Sequence, residues 1–461
     1  MQKIFFLCIM SILVSIPIPG FCLDYYVNGA VGFDSATCGR LPTDPCKTIK
    51  QALNNIPDGE VTIKIARGTY VESEFLIPVT VAGSVKNDIT FEGGWNASFD
   101  NSVCNPENTI IIPGNRTAPP YMYLFEFNVF GDQQRQAALT LRCMKIQKTA
   151  TGDITRAMIN DADKGLAEIT LFNIRLTGFA DQNPIVFRSV DNGLLHADIE
   201  ETVIDSNNGY TVISGDAYDS GTLQLTMKKS SLRNNGTQGK STAVIFLGSR
   251  TGGIVSASVT NSIIAENSSS EDPPGFRLLT RHSNSELSLS MINTTIAGNS
   301  NSSAGGGPGA MGIYAFDGAR CTIRMVNTIV RGNSALIGPD DFILDQDTGA
   351  TLDFSADYSI LGEYATKGSV SYNSTHEIDA DPALNPTYHL TSGSPAKDAG
   401  ICGYLTGGGP LYQYHRVAPY DDIDGDKRPG WGKLMGCDVG ADEYRFPWIL
   451  FNPATRGTRR P

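Results

Sequence analysis

A short sequence pattern recurs about every 30 residues through the middle of the chain, and it constrains the fold more than any other feature. Segments 261–267 (NSIIAEN), 293–299 (NTTIAGN) and 327–333 (NTIVRGN) share a small polar entry, an apolar centre and a closing asparagine. Weaker copies begin at Cys143, Asn173, Glu201, Lys229 and Asp357, so successive copies start 28 to 34 residues apart. A repeat of this length with short strands and polar turns is typical of one turn of a β-solenoid.

Alternating apolar and polar residues occupy the stretches between the copies, for example LQLTMK (223–228) and ELSLSMI (286–292). This alternation indicates strands with one buried face. A β-sandwich or a propeller also has many short strands, but propeller repeats run to about 40 to 50 residues with signatures that are not visible here. The closing asparagine tolerates left-handed turns, and its amide can bond to the equivalent residue of the next coil.

If the repeat is a coil, its apolar centres stack in register inside one continuous core. The residues predicted to stack, each allowing an immediate neighbour, are Ile146, Leu176, Ile204, Leu232, Ile264, Ile296, Val330 and Ile360.

The first residues match a secretory signal peptide at 1–22, with Lys3, an apolar run and then Cys22. A membrane anchor fits less well because Pro17 and Pro19 break a run that is short for a bilayer. A lipid-modified Cys22 is a further alternative. The prediction is a secreted or extracellular protein, or a periplasmic or outer-surface one in a Gram-negative bacterium, with no membrane span after signal removal. The net charge of -12 argues against nucleic acid.

Seven of the nine cysteines follow the predicted signal, an odd number that leaves at least one thiol unpaired within the chain. Cys38 with Cys46 and Cys402 with Cys437 are bridge candidates, while the full connectivity stays open. No cysteine pair has the close spacing of a zinc site.

Both ends of the chain resemble known families. A helix from about Thr48 to Asn55 and the turn Gly68–Thr69–Tyr70 resemble the start of pectin-lyase-like proteins. Segments 378–400, 422–430 and 437–444 resemble the choice-of-anchor Q family of bacterial surface and secreted proteins. The resemblance implies an all-β, right-handed parallel β-helix with a short N-terminal capping helix. The expected organisation is a signal peptide (1–22), an N-terminal cap and first strand (23–75), β-helix repeats (76–376), and a C-terminal cap and tail (377–461), with 422–444 folding back over the final coils.

The fold does not decide the chemistry, because parallel β-helices include lyases, hydrolases, esterases and non-catalytic adhesins. Segment GTYVE (68–72) matches a pectin-esterase element superficially, but we interpret it as structural. The linear motifs of polygalacturonases and pectate lyases are absent. Candidate catalytic residues assembled across coils are Arg281 and His282 beside Glu286, or Glu201 and Asp205 beside Glu200. The alternative interpretation is an outward polar surface that keeps the protein soluble.

Segment DIDGD (422–426) resembles the first half of a calcium loop, although no glutamate follows at the EF-hand position. A simpler Ca²⁺ site formed by Asp422, Asp424 and Asp426 is one hypothesis. The other is an Asp/Gly turn whose carboxylates accept backbone N–H groups. No other cofactor is expected.

The function predicted from the sequence is a non-catalytic β-helix that presents a surface to carbohydrate or to a cell-surface partner. The alternative is a polysaccharide-active enzyme, most plausibly a lyase, with a site assembled across adjacent coils. The oligomeric state stays open.

Overall fold

The computed structural model describes residues 23–73, 75–79, 87–115, 123–131, 136–149, 154–180, 182–236, 243–406, 413–428 and 436–444. The chain folds as an all-β, right-handed parallel β-helix, which confirms the predicted fold class. The predicted signal peptide at 1–22 lies outside the described residues. Among the described residues, no helix combines the length and the apolar composition needed to span a bilayer.

A main parallel sheet carries the alternating segments, and its inward side chains are the apolar ones, as in Glu286–Ile292. Its strands are Leu23–Val27, Glu60–Ala66, Asn87–Trp95, Gln136–Gln147, Leu166–Thr177, Leu194–Glu200, Thr222–Lys228, Ile254–Thr260, Glu286–Ile292, Arg320–Val326, Thr351–Asp357 and Ser371–Thr375.

A bend after most main-sheet strands leads into a short strand that carries the apolar centre of the repeat. The bend residue has a left-handed backbone, with φ of 48° at Asn261 and 51° at Asn293, a conformation that asparagine tolerates. The short strands are Gly68–Glu72, Thr109–Pro113, Val203–Asp205, Ser231–Arg233, Ile263–Ala265, Thr295–Ala297, Ile329–Val330 and Ile360–Leu361.

A second parallel sheet of 10 strands closes the other side of each coil. Its strands are Phe75–Val79, Tyr123–Phe130, Arg156–Asp163, Ile185–Val190, Ile213–Ala217, Ile245–Arg250, Phe276–Arg281, Met311–Ala315, Phe342–Gln346 and Tyr364–Lys367. A small third sheet pairs Ser268–Ser269, Ser300–Asn301 and Ser334–Ala335.

The apolar centres stack in register, as predicted. Paired positions in successive coils are Ile146, Leu176, Ile204, Leu232, Ile264, Ile296, Val330 and Leu361, and all belong to one core. Leu361 takes the place of its neighbour Ile360, which packs instead with Ile329 in a separate cluster.

The closing asparagines form the expected ladder. Asn207, Asn235, Asn267, Asn299 and Asn333 are buried, and each Oδ1 accepts hydrogen bonds from a residue of the preceding coil. The ladder ends where Asn333 donates its side-chain amide to Asp341 Oδ1 at 2.8 Å. The repeat therefore specifies both the core and a buried polar column.

The predicted N-terminal helix spans Ile49–Asn55, and Thr48 caps it. Ile49 and Ala52 extend the core at this end. Glu72, the last residue of GTYVE, accepts the backbone N–H groups of Ile49 at 2.7 Å and Lys50 at 3.4 Å. Burial raises the pKa of Glu72 to about 7. Glu72 thus has the structural use that we expected for this segment.

The chain after residue 377 returns along the side of the solenoid, and we call its described part the returning segment. Leu390, Ala396 and Val439 pack on Ile329 and Ile360. The bend asparagines also bind it: the Asn261, Asn293 and Asn327 amides donate to carbonyl oxygens of Asp421, Asp438 and Ile401. Within it, Gly400–Ile401 pairs with Gly436–Cys437, and Gly403–Thr406 with Gln413–Arg416, both antiparallel.

A 3₁₀ turn, Pro106–Asn108, lies near the first coils.

Three disulfides are present among the described residues. The predicted Cys38–Cys46 and Cys402–Cys437 bridges are confirmed, and Cys104–Cys143 is a third that the sequence did not indicate. Cys321 is the free cysteine among the described ones, and it is buried in the core.

Candidate functional site

A cleft of about 820 Å³ separates the side of the solenoid from the returning segment. Its solenoid wall comes from three successive coils, and its outer wall comes from residues between 377 and 388. Both walls are strongly acidic. The carboxyl groups that line the cleft are Asp340, Asp341, Glu363, Glu377, Asp379 and Asp381.

Arg331 lies in this cleft directly after the short strand Ile329–Val330. Its guanidinium donates to the carbonyl oxygen of Leu361 at 3.3 Å and pairs with Asp379 at 2.8 Å. Arg331 therefore links two coils and the returning segment across the cleft.

Asp341 fixes the solenoid wall. Its Oδ1 accepts the backbone N–H and the amide of Asn333, at 3.2 and 2.8 Å, and its Oδ2 accepts the N–H of Glu363 at 2.9 Å. Burial raises the pKa of Asp341. Because both carboxylate oxygens of Asp341 already accept hydrogen bonds from the protein, its role is primarily structural.

Tyr388 contributes the aromatic surface of the outer wall. The Arg233 guanidinium lies 5.1 Å from its ring centroid. On the other side, a Cβ at Gly298 would collide with the Tyr388 hydroxyl, and the φ of Gly298 is +67°. Glycine is therefore required at this position, because its backbone is left-handed and because a side chain would collide with Tyr388.

The charge of the cleft selects its ligands. Six carboxyl groups face one guanidinium, and ionised carboxylates only accept hydrogen bonds. The cleft therefore suits ligands rich in hydroxyl or ammonium donors and disfavours polyanions.

The first set of candidates from the sequence lies away from this cleft, at the turn that leads into the main sheet. Arg281 packs its guanidinium over Phe316, 5.3 Å from the ring centroid. His282 is exposed, has a left-handed backbone, and its carbonyl oxygen accepts the N–H of Ser285 at 3.2 Å. Glu286 begins the next main-sheet strand and is exposed.

The second set lies at the other end of the main-sheet strands. Asp205 forms two 3.0 Å bonds with Arg175, and Glu201 is exposed at a bend with φ of 50°. Glu200 is the last residue of a seven-residue strand. The first residue of that strand occupies the same register position, several coils earlier, as Glu286. At a rise of about 3.3 Å per residue, the two sets lie roughly 20 Å apart along the strand direction, and Glu200 and Glu286 are also three coils apart. The structure does not bring them together.

The DIDGD segment forms a turn in the returning segment. Asp422 is buried; its Oδ1 accepts the N–H groups of Asp424 and Asp426, and its Oδ2 accepts that of Glu443 at 2.9 Å. Asp424 instead turns towards His389, with 3.0 Å between Oδ2 and Nε2. This geometry fits the turn hypothesis, and the Ca²⁺ site at these three residues stays a prediction.

The acidic cleft was not predicted because its lining is scattered between residues 297 and 388. The signal that could have located it is the doublet Asp340–Asp341, which follows the last asparagine of the ladder.

No family model and no curated protein matches the chain, so the choice-of-anchor Q family stays a resemblance. Among solved structures, the chain is similar to the pectate lyase Pel9A, with 12% identity over 91% of this chain and 96% of that one, and a TM-score of 0.44. It is also similar to XylC in complex with xylose, with 9% identity over 90% and 98% of the two chains and a TM-score of 0.36. The strand topology itself establishes the parallel β-helix.

Proposed function

We propose that this protein is an exported, non-catalytic β-helix that binds a polysaccharide in the acidic cleft. The observation that carries the proposal is the cleft itself, which runs across three coils and is walled by the returning segment. Its volume lies within the range of about 300 to 1,000 Å³ that is usual for ligand sites. The three disulfides support export, because such bonds persist in oxidising compartments.

The lining favours a neutral or amino-bearing polysaccharide. Sugar hydroxyls and ammonium groups donate hydrogen bonds, and the carboxylates of Glu363 and Glu377 accept them. Tyr388 adds an apolar ring face beside them. A polyuronate would bring like charge into the cleft and would need a bridging cation.

A polysaccharide hydrolase or lyase is the second candidate, because carboxyl groups from adjacent coils converge here. A hydrolase needs two carboxyls about 5 to 10 Å apart. We prefer the binding function because the buried Asp341 and the partly buried Arg331 are already held by Asn333, Glu363 and Asp379.

The test measures binding and product release together. Neutral, amino-bearing and uronic polysaccharides are titrated by calorimetry, and unsaturated products and reducing ends are followed in the same samples. We expect Glu363→Gln with Glu377→Gln to weaken binding of a neutral or amino-bearing polymer at least about tenfold, which is 1.4 kcal/mol. The control Glu286→Gln, at the remote turn, should bind normally.

Unchanged binding in the cleft variant would refute the cleft as the binding site. Product release that the same variant abolishes would establish the enzyme instead.

A further inference from the structure

We infer that His389, Asp424 and Asp442 form a binding site for a divalent transition metal of the Zn²⁺ class. One ligand atom from each side chain lies within 4.8 Å of the other two, although the residues are far apart in the returning segment. Asp442 is buried, His389 is partly buried and Asp424 is exposed, so the cluster opens to solvent on one side.

The hydrogen bonds around His389 define which ring nitrogen is free to bind a metal. The Thr387 hydroxyl donates to Asn385 Oδ1 at 2.8 Å and so cannot donate to the ring. His389 Nδ1 is 3.0 Å from the Thr387 carbonyl oxygen, which only accepts. Nδ1 therefore carries a proton, and Nε2 faces the cluster. Metal-binding histidines are held in this way by a carbonyl on the second nitrogen.

Nε2 lies 3.0 Å from Asp424 Oδ2. A neutral imidazole would direct a lone pair at a carboxylate oxygen, which is repulsive unless a proton or a cation lies between them. Two arrangements satisfy the pair: an imidazolium that donates to Asp424, or a metal ion that both residues bind. A metal titration distinguishes them.

Asp442 adds a buried carboxylate whose Oδ2 accepts the N–H of Leu390 at 2.8 Å. The ligand oxygens of Asp424 and Asp442 lie within 4.8 Å of each other and of a His389 ring nitrogen, so Asp442 completes a set of three ligands.

The donor set indicates the class of metal. One imidazole nitrogen and two carboxylate oxygens suit Zn²⁺ and its neighbours, which bind three protein ligands and keep a position for water. Calcium prefers six to eight oxygen ligands. This site is therefore distinct from the Ca²⁺ site predicted at Asp422, Asp424 and Asp426, with which it shares only Asp424.

Metal binding would also organise the acidic cleft, because Tyr388 of its outer wall immediately precedes His389. The inference does not depend on the identity of the bound polysaccharide.

The experiment uses the full chain after a chelator has removed bound metal. The chain is titrated with Co²⁺ alone while the visible d–d absorption of the bound Co²⁺ is recorded. Zn²⁺ is then added to displace the Co²⁺. We expect one equivalent of Co²⁺ per chain. His389→Asn and Asp424→Asn should each weaken binding at least about 100-fold, the upper end of the effect of removing an outer-shell partner.

His376→Asn is the matched control, because His376 Nδ1 lies 2.9 Å from Asp357 Oδ1 in another histidine–aspartate pair, which is exposed. It should bind Co²⁺ like the unaltered protein. Circular dichroism must show that all variants are folded, and Zn²⁺ should raise the melting temperature only where binding persists. Absence of stoichiometric Co²⁺ binding, or normal binding by His389→Asn, would overturn the inference in favour of a plain ion pair.

Discussion

Asn299 Oδ1 accepts two hydrogen bonds from Asn267 of the preceding coil, one from its backbone N–H at 3.1 Å and one from its side-chain amide at 2.9 Å. Asn267 Oδ1 accepts the same pair from Asn235, both at 3.0 Å, and its amide also donates to the Leu232 carbonyl oxygen. Each rung thus satisfies buried polar groups of three coils.

Replacing Asn267 by alanine should lower the free energy of unfolding by about 3 kcal/mol, because buried groups of Asn235, Leu232 and Asn299 lose partners. Urea unfolding followed by circular dichroism measures the loss. Asn373→Ala, at an exposed position of the last main-sheet strand, is the control and should change stability by less than about 0.5 kcal/mol. Equal stability of the two variants would contradict a structural role for the ladder.

Replacing Ile296 by aspartate should prevent stable folding of the surrounding coils, because a charge without a partner enters the core. Ile296→Ala should be milder, costing about 2 to 5 kcal/mol. Leu336→Asp is the control because Leu336 is 65% exposed. Thermal melts compare the three variants, and a normal melt for Ile296→Asp would contradict the common core.

Removing the Cys402–Cys437 bridge, by replacing both cysteines with alanine, should loosen the returning segment before the coils. The sequence separation is 35 residues, for which loop entropy predicts a cost of about 3 to 4 kcal/mol. Hydrogen exchange should accelerate around Leu390 and Val439 while the strand Glu286–Ile292 keeps its protection. Equal acceleration of hydrogen exchange in the returning segment and in the strand Glu286–Ile292 would contradict the prediction that the returning segment loosens first. Removing Cys38–Cys46 should leave the returning segment protected.

Glu72 should make the N-terminal end less stable as the pH rises. Burial raises the pKa of Glu72 from 4.5 to about 7, so the folded state holds a proton that the unfolded chain has released. The stabilisation is complete below about pH 4.5 and is lost as the pH rises to about 7, with a size of at most roughly 3 kcal/mol. Glu72→Gln should flatten this dependence in urea melts taken between these pH values. An unchanged slope would mean that Glu72 is ionised throughout.

Millimolar Ca²⁺ should leave the melting temperature unchanged, because both oxygens of Asp422 already accept backbone N–H groups. Asp424→Asn should melt alike with and without Ca²⁺, although we expect it to lose Co²⁺ binding. A rise of melting temperature with Ca²⁺ that Asp424→Asn abolishes would support the Ca²⁺ site instead.

The sequence predicted the parts of the fold that repeat. A period of about 30 residues places Ile264 over Ile296 and Asn267 over Asn299, so the register and both columns follow from the spacing. Local signals likewise located the helix at Ile49–Asn55 and the short Cys38–Cys46 loop.

Features that join distant, non-repeating stretches were missed. Nothing in the spacing relates Cys104 to Cys143, which the loop before Pro106 brings to the main-sheet strand Gln136–Gln147, or His389 to Asp442, which meet only through the path of the returning segment. The partner of Asp205 could not be predicted either: the sequence offers Asp205 near Glu201 as a catalytic candidate, and the structure pairs both of its carboxylate oxygens with Arg175. Pairing of this kind depends on the neighbouring coil.

The returning segment has a consequence for how the molecule comes apart. In a simple stack each coil contacts only its neighbours, and end coils can unzip one at a time. Here Lys229 pairs with Asp421, 192 positions away, and Asn261, Asn293 and Asn327 bind the same strip of chain. The coils from Lys229 to Asn327 are therefore all bound to the returning segment, and we expect them to unfold as a single cooperative block. We expect the earlier coils to unfold one at a time from the end, as in an ordinary linear repeat protein.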